Sequence, residues 1–327
     1  HLFKIGGMAQ PRFLCKKFDD VAKNTQNFFG VKRAYFNLEG ILNNGLFSFL
    51  IQTNFSEVYP LLDAWAGYHP TKNISIYFGQ KQSPFNNHSM QMMEYNLQFA
   101  SRSNLSQVFS QTGREFGLFI ESDFSVGSFG VKPSLGITSG DGINSFGVMS
   151  NDIDKGGLKY GGRLNLYPFG SFSNDNEKLG HDIYKEQSPK LMIGAASSLN
   201  IGASHSVGEG HYLEPEPGFN APSETFVFYN SLGENRFPNY LKNYLDLLLK
   251  YKGFNLLVEY VNTAAYKLQG SYTNAAGTVY LEPTQISNYL VLGNAYNIQS
   301  GYLFKKDWSI DAKWGQSFKE FGNINSL

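Results

Sequence analysis

The sequence predicts an all-β chain, a transmembrane antiparallel β-barrel. Three observations predict it. Aromatic and turn-forming residues are abundant, with 28 Phe, 20 Tyr and 34 Gly in 327 residues. Mean hydropathy is nevertheless negative, at −0.30. A membrane barrel meets both conditions, because only one face of each strand must be apolar. Third, short and long connections alternate between segments of period-2 patterning.

The strands follow in order. Leu2 to Phe13 is strand-like, with Pro11 suited to an edge. Val31 to Leu42 sets Ala34, Phe36 and Leu38 against Arg33, Tyr35, Asn37 and Glu39. The turn Asn43-Asn44-Gly45 leads to Leu46–Phe55, then come Leu61–Tyr68 and Ile74–Lys81. Glu115–Phe124, Phe129–Thr138, Leu158–Tyr167 and Leu191–Ile201 continue the pattern, and Leu241–Lys252, Phe254–Ala264, Tyr289–Phe304 and Trp308–Phe318 complete it. That is about thirteen strands by alternation. A closed bacterial barrel needs an even number, so 14–16 strands are expected, 16 favoured, with the C-terminal strands missing from this chain. No linker divides residues 1–327, which read as a single barrel domain truncated at the C-terminus.

Connections after odd strands are long, notably Ser83–Gly113 and Gly202–Tyr240, whereas those after even strands are mostly tight. Such sorting is the outer-membrane pattern of long extracellular loops and short periplasmic turns. Pro168–Lys190 breaks it and reads as an insertion. The third long connection, 83–113, carries Phe85, Met90, Met92, Met93, Tyr95, Leu97, Phe99, Leu105, Val108 and Phe109, too many apolar residues for a loop in water; packing on the inner wall or a lid across the barrel mouth would bury them. It is expected to fold toward the lumen and narrow it, with a short helix over Met90–Ala100.

Little supports catalysis. The six His are scattered, and HExxH, GxSxG and GxxxxGK motifs are absent. His205 and His211, and Gly140-Asp141-Gly142 with Asp152 and Asp154, read as solvated loops and turns rather than metal sites. One cysteine, Cys15, excludes a disulfide framework within the chain. The expectation is no enzyme, no catalytic or metal residues and no cofactor. Balanced charge, 27 basic against 27 acidic residues, gives nucleic-acid binding no support.

Candidate pore-lining residues are the cations on non-apolar faces and in the third loop: Arg33, Lys81, Arg102, Arg114, Lys132, Lys159 and Arg163. Lysines and arginines in rings bias a pore toward anions by replacing hydration. Lys81 at the loop's base, Arg102 within it and Arg114 at its exit are expected to converge on the constriction.

The blocks VKRAYFNLEG, LLDAWAGYHPTKNISIYFGQKQSPF, ASRSN, GREFGLFIES, GITSGDGIN and GLKYGGRLNLYPFG, in that order, resemble the phosphate-selective porin family, porins O and P. The resemblance covers roughly Val31 to Gly170. It implies a sixteen-stranded outer-membrane barrel, commonly a homotrimer, with an inward third loop and anion passage over lumen arginines and lysines. This chain departs from the family in lacking net positive charge. The expected function is a bacterial outer-membrane porin-like channel for small hydrophilic solutes or anions, touching outer-membrane lipid and lipopolysaccharide. The alternative is a non-conducting accessory or scaffold barrel in a larger outer-membrane complex.

Overall fold

The computed structural model describes residues 2–17, 26–57, 60–110, 113–140, 142, 156–203, 228–282, 290–304 and 308–319. Thirteen long strands build one antiparallel wall: β1 (Leu2–Lys16), β2 (Gln26–Leu42), β3 (Phe47–Asn54), β4 (Leu61–Thr71), β5 (Ile74–Gln82), β6 (Arg114–Ser122), β7 (Phe129–Thr138), β8 (Lys159–Tyr167), β9 (Lys190–Asn200), β10 (Asn239–Tyr251), β11 (Phe254–Tyr266), β12 (Gly293–Leu303) and β13 (Ser309–Lys319). Each pairs with its chain neighbours, a simple meander. A short strand, Phe124–Val126, adds to β7 and makes the sheet fourteen-stranded. The thirteen alternating segments of the sequence are thus the thirteen long strands.

Alternation holds because the two faces meet different surroundings. Outward positions are exposed and apolar, as with Phe78, Leu118, Leu135, Ile193, Leu245, Ile298 and Trp314. No isolated soluble barrel needs so continuous an apolar belt. Inward positions are buried. On β10 these are Tyr240, Lys242, Tyr244, Asp246, Leu248 and Lys250, and on β11 Asn255, Leu257, Glu259, Val261 and Thr263. Bulges at Gln52/Thr53 on β3 and Gln10/Pro11 on β1 shift the register locally.

Two connections fold inward. The third loop is one. Its helix, α1, spans Asn104–Phe109, capped by the Ser103 side chain accepting from the Ser106 amide. The helix expected over Met90–Ala100 is instead a pair of 3₁₀ turns, His88–Gln91 and Glu94–Asn96. The other is the connection of residues 168–189, which enters from the opposite, short-turn end and contains a 3₁₀ stretch at Ser173–Lys178.

The inner wall of β8–β12 is shaped to seat both. Leu105 and Phe109 of α1 cluster with Ala196, Tyr244, Val261 and Ala295. Phe172 of the second segment clusters with Tyr167, Met192, Leu248 and Leu257. A wholly wet lumen would not carry apolar side chains at these inward positions; here they bury apolar surface of the inserted chain.

β1 and β13 are the two ends of the sheet, and they do not pair with each other among the described residues. The third loop bridges this side from within. Lys32 Nζ, on β2, donates to Ala100 O at 2.6 Å and to Ser101 Oγ at 3.2 Å. Lys313 Nζ, on β13, donates to Ser101 O at 3.2 Å. Gln98 Nε2 adds a 2.7 Å bond to Asp311 of β13.

Candidate functional site: a lumen holding two inserted segments

The third loop is anchored by polar contacts as well as by α1. Glu259, fully buried on β11, accepts from Asn87 Nδ2 (2.8 Å), Ser89 N (2.7 Å), Ser89 Oγ (3.2 Å) and Asn297 Nδ2 (2.7 Å). A buried carboxylate is stable only when its lone pairs are so occupied. Arg163 on β8 donates to Asn86 O at 2.7 Å and pairs with Asp246 on β10. Lys242 Nζ and Tyr244 Oη both donate to Phe109 O, closing the C-terminal end of α1. The ring of Phe85 lies over Gly136 and Gly161, where a Cβ would meet it at 2.7 and 2.5 Å. Glycine is required there for close approach.

The second segment is anchored on the wall chiefly by Lys250, with Gly253 N, Lys252 N and the Phe172 cluster adding to it. Lys250 Nζ donates to the carbonyl oxygens of Asn176 (2.6 Å), Leu179 (2.6 Å) and His181 (2.8 Å). Asp182 and Glu186 lock the fold of the segment: Asn176 Nδ2 donates to both, Ser173 N and Oγ donate to Glu186, and Gly253 N donates to Asp182.

The two segments meet inside the barrel. His88 Nε2 is 2.8 Å from Glu177 O, and Gly180 N donates to Asn96 O at 2.6 Å. His181 and Gln98, one from each segment, share Asp311. Burial, with the nearby Arg163 charge, pushes the His88 imidazole down to about 3, so it is neutral at physiological pH. Burial raises Glu94, but Arg102 and Arg114 outweigh it and hold the carboxyl at about 2.

Between these segments and the wall of β2–β8 a vestibule of about 770 Å³ remains. Its lining runs from Lys72, Asn73 and Asp123, at the short-turn end, to Pro84, His88, Met92 and Tyr95 of the third loop. Trp65 and Tyr77 stand in it edge to face, 5.0 Å between ring centroids.

The seven cations expected along a pore are placed as follows. Lys81 pairs with Glu121 (2.8 Å), Arg102 with Glu94 (2.8 Å), Arg114 with Asp63 (3.0 Å) and Lys159 with Glu115 (2.7 Å). Lys132 pairs with Asp123 (3.1 Å) and Glu177 (3.4 Å), and Arg163 with Asp246. Arg33 reaches across to Gln10 of β1 at 2.7 Å. Arg102 and Arg114 are brought to one carboxylate, Glu94, while Lys81 holds to the wall at Glu121. Lys81 and Lys132 line the vestibule; Arg33, Arg102, Arg114, Lys159 and Arg163 do not. Asp152, Asp154, His205 and His211 lie outside the described residues.

Sequence reasoning did not find Glu259, Lys250 and Glu177 as anchors, nor the inward fold of residues 168–189. One signal was present: Leu248, Leu257 and Val261 stand at inward positions, where a wet lumen calls for polar residues.

The fold and its interior define an antiparallel β-barrel whose lumen is filled from both ends. No protein-family model matches the chain. No curated protein matches it. Solved structures do. One is OmpT, an outer membrane protein of Vibrio cholerae, at 10% identity over 96% of this chain and 74% of that one, with a TM-score of 0.45. Another is Salmonella typhi OmpF, at 10% identity over 97% and 91%, with a TM-score of 0.41. A third is the outer membrane channel DcaP of Acinetobacter baumannii, at 9% identity over 97% and 94%, with a TM-score of 0.41. At these values the likenesses carry no argument about function.

Proposed function

We propose that the chain is a bacterial outer-membrane channel of porin type that passes small hydrophilic solutes by diffusion, restricted by loop 83–113. The observation that carries this is the polar vestibule inside a barrel with an apolar outer belt. Its volume is that of a small-solute site, and its floor is the third loop. The apolar belt faces lipid and lipopolysaccharide, the long connections face outward and the vestibule opens on the periplasmic side. Homotrimeric assembly is part of the same proposal.

We do not carry anion preference into it. An ion-paired lysine or arginine offers little free positive potential to a passing anion, and six of the seven candidate cations are paired.

One observation favours a second reading, a closed barrel serving as a scaffold subunit. The two inserted segments touch each other at His88–Glu177 and Asn96–Gly180. Planar-bilayer recording of the purified protein decides between them. Discrete conductance steps in KCl support the channel. Silence at all potentials, with insertion confirmed, supports the scaffold and overturns the channel.

A further inference from the structure

The charges that line the vestibule cancel. All six of its carboxylates are ion-paired. Lys81, Lys132 and Arg114 hold four of them, Lys4 Nζ stands 3.8 Å from Glu39, and Lys178 Nζ stands 3.2 Å from Asp175. With Lys72, six cations meet the six carboxylates, and His88 is neutral. Behind the same wall Arg163 and Lys159 are spent on Asp246 and Glu115. A lining balanced in this way focuses no field of either sign. A charged solute would shed water on entry and find no free countercharge.

The lining does offer donors and acceptors side by side. In each ion pair an N–H donor lies next to carboxylate lone pairs. Asn96, Ser122 and Ser134 add side chains that both donate and accept. A hydroxyl also does both, so it can donate to the carboxylate of such a pair and accept from the cation. Hydrogen bonds to ionised groups are the stronger kind. A solute rich in hydroxyls meets this lining at several points without carrying charge.

Aromatic surface is kept in the vestibule as well. Tyr95 of the third loop is 54% exposed, whereas Phe85, Met90, Met92, Leu105 and Phe109 of the same loop are buried. Trp65 of β4 is half-buried and stands at 83° to Tyr77. Lys81 and Lys132 lie over Tyr77 and Tyr167, 4.9 and 5.0 Å from the ring centroids, which leaves Trp65 and Tyr95 to a solute. A sugar ring carries C–H bonds on its faces and hydroxyls at its edge, and so matches both parts of the lining.

We infer that the vestibule binds a small neutral sugar, with its hydroxyls on the ion pairs and a ring face on Trp65 or Tyr95. The inference deepens the channel reading by naming a class of solute, and it rests on that reading for passage of the sugar though not for its binding.

Saturation-transfer NMR of the full chain, in a detergent without a sugar headgroup, tests it with glucose, protonated glucosamine and the anion glucuronate. The three probes share one ring and differ in charge. Saturable glucose binding, at least about threefold tighter than that of either charged sugar, is expected. Tyr95→Ala, at an exposed position, weakens glucose binding about three- to tenfold, the usual worth of an aromatic contact. Glu121→Gln leaves Lys81 without its carboxylate and turns the preference to glucuronate, a gain that misfolding does not produce. Wild-type binding of either charged sugar as tight as that of glucose overturns the inference, as does a Glu121→Gln protein that keeps the wild-type preference. Conductance in KCl with no saturable glucose binding overturns it and leaves the channel standing. Glucose-preferring binding without conductance supports it and overturns the channel.

Discussion

His88 Nε2 lies 2.8 Å from the backbone oxygen of Glu177, and through this contact a loop from one end of the barrel touches a loop from the other. The third loop is seated on β8 and β11 by Arg163 and Glu259, and Asn297 of β12 donates to Glu259 behind it. Segment 168–189 is seated on β10 by Lys250. Where they meet, side chains of both are buried, and the vestibule lies between them and β2–β8.

Acid is expected to loosen the third loop. The His88 value falls from 6.5 to about 3 on docking. A base with a depressed value adds nothing to stability above 6.5, and below it the undocked loop takes a proton that the docked loop refuses. Docking weakens as pH falls from 6.5 toward 3, by about 1.4 kcal/mol per pH unit for one proton. Glu94, held near 2, contributes stability above its ordinary 4.5 and loses it as pH falls from there toward 2. Both changes have the same sign. Hydrogen exchange, corrected for intrinsic rate, should show residues 86–110 less protected at pH 5 than at pH 7, with β11 unchanged. Equal protection of the loop at the two pH values counts against His88 as the sensitive group.

Gly161→Ala is expected to disturb the same loop through a different residue. The added Cβ meets the Phe85 ring at 2.5 Å, and that ring is 1% exposed with no free space to move into. Overpacking of this kind costs about 1–3 kcal/mol. The check is a double-mutant cycle on unfolding stability. Phe85→Ala should make Gly161→Ala nearly neutral. Additive losses would mean that the glycine serves some other purpose.

The wall was legible because its physics is local. Thirteen segments alternate with period 2, since each strand meets an apolar outer surface and a different interior. The inward fold of the third loop was legible from its apolar content: Phe85, Met90, Met92, Leu105 and Phe109 are buried, Met93, Leu97, Phe99 and Val108 are half-buried, and Tyr95 alone of that set stays exposed. Its internal structure was not. A six-residue helix is too short to show a period, and Ser103, which caps it, looks like any loop serine. The electrostatics were not legible either. Lys159 and Glu115 are 44 residues apart, and Arg163 and Asp246 are 83 apart. A list of inward cations cannot reveal that a carboxylate has taken six of the seven. Segment 168–189 was hidden for the same reason, since its seat on Lys250 lies some 70 residues away.

Glu259→Ala should release the third loop without breaking the wall. It leaves Ser89 N and Asn297 Nδ2 without their acceptor, while Asn87 Nδ2 keeps Ser89 Oγ and Ser106 Oγ. Each buried donor left unpaired costs about 1–3 kcal/mol. Protease sensitivity of residues 83–113 should rise, and single-channel conductance with it. A sensitive loop with unchanged conductance would show that the loop does not limit flow.

Lys250→Met tests whether the two segments hold each other. Methionine has nearly the shape of the lysine stem and removes the donor shared by the carbonyl oxygens of Asn176, Leu179 and His181, the first of which keeps Leu179 N. Lys250 bonds segment 168–189 and Glu259 bonds the third loop, so the two substitutions strike different anchors. If the segments dock independently, hydrogen-exchange protection of residues 86–110 in Lys250→Met equals wild type, and the stability losses of Lys250→Met and Glu259→Ala add. If His88–Glu177 and Asn96–Gly180 couple them, Lys250→Met lowers protection of a loop it does not touch. The double mutant then loses about 0.5–3 kcal/mol less than the sum. The packed junction makes the coupled result the expected one: a segment freed from its own anchor withdraws two hydrogen bonds from its neighbour.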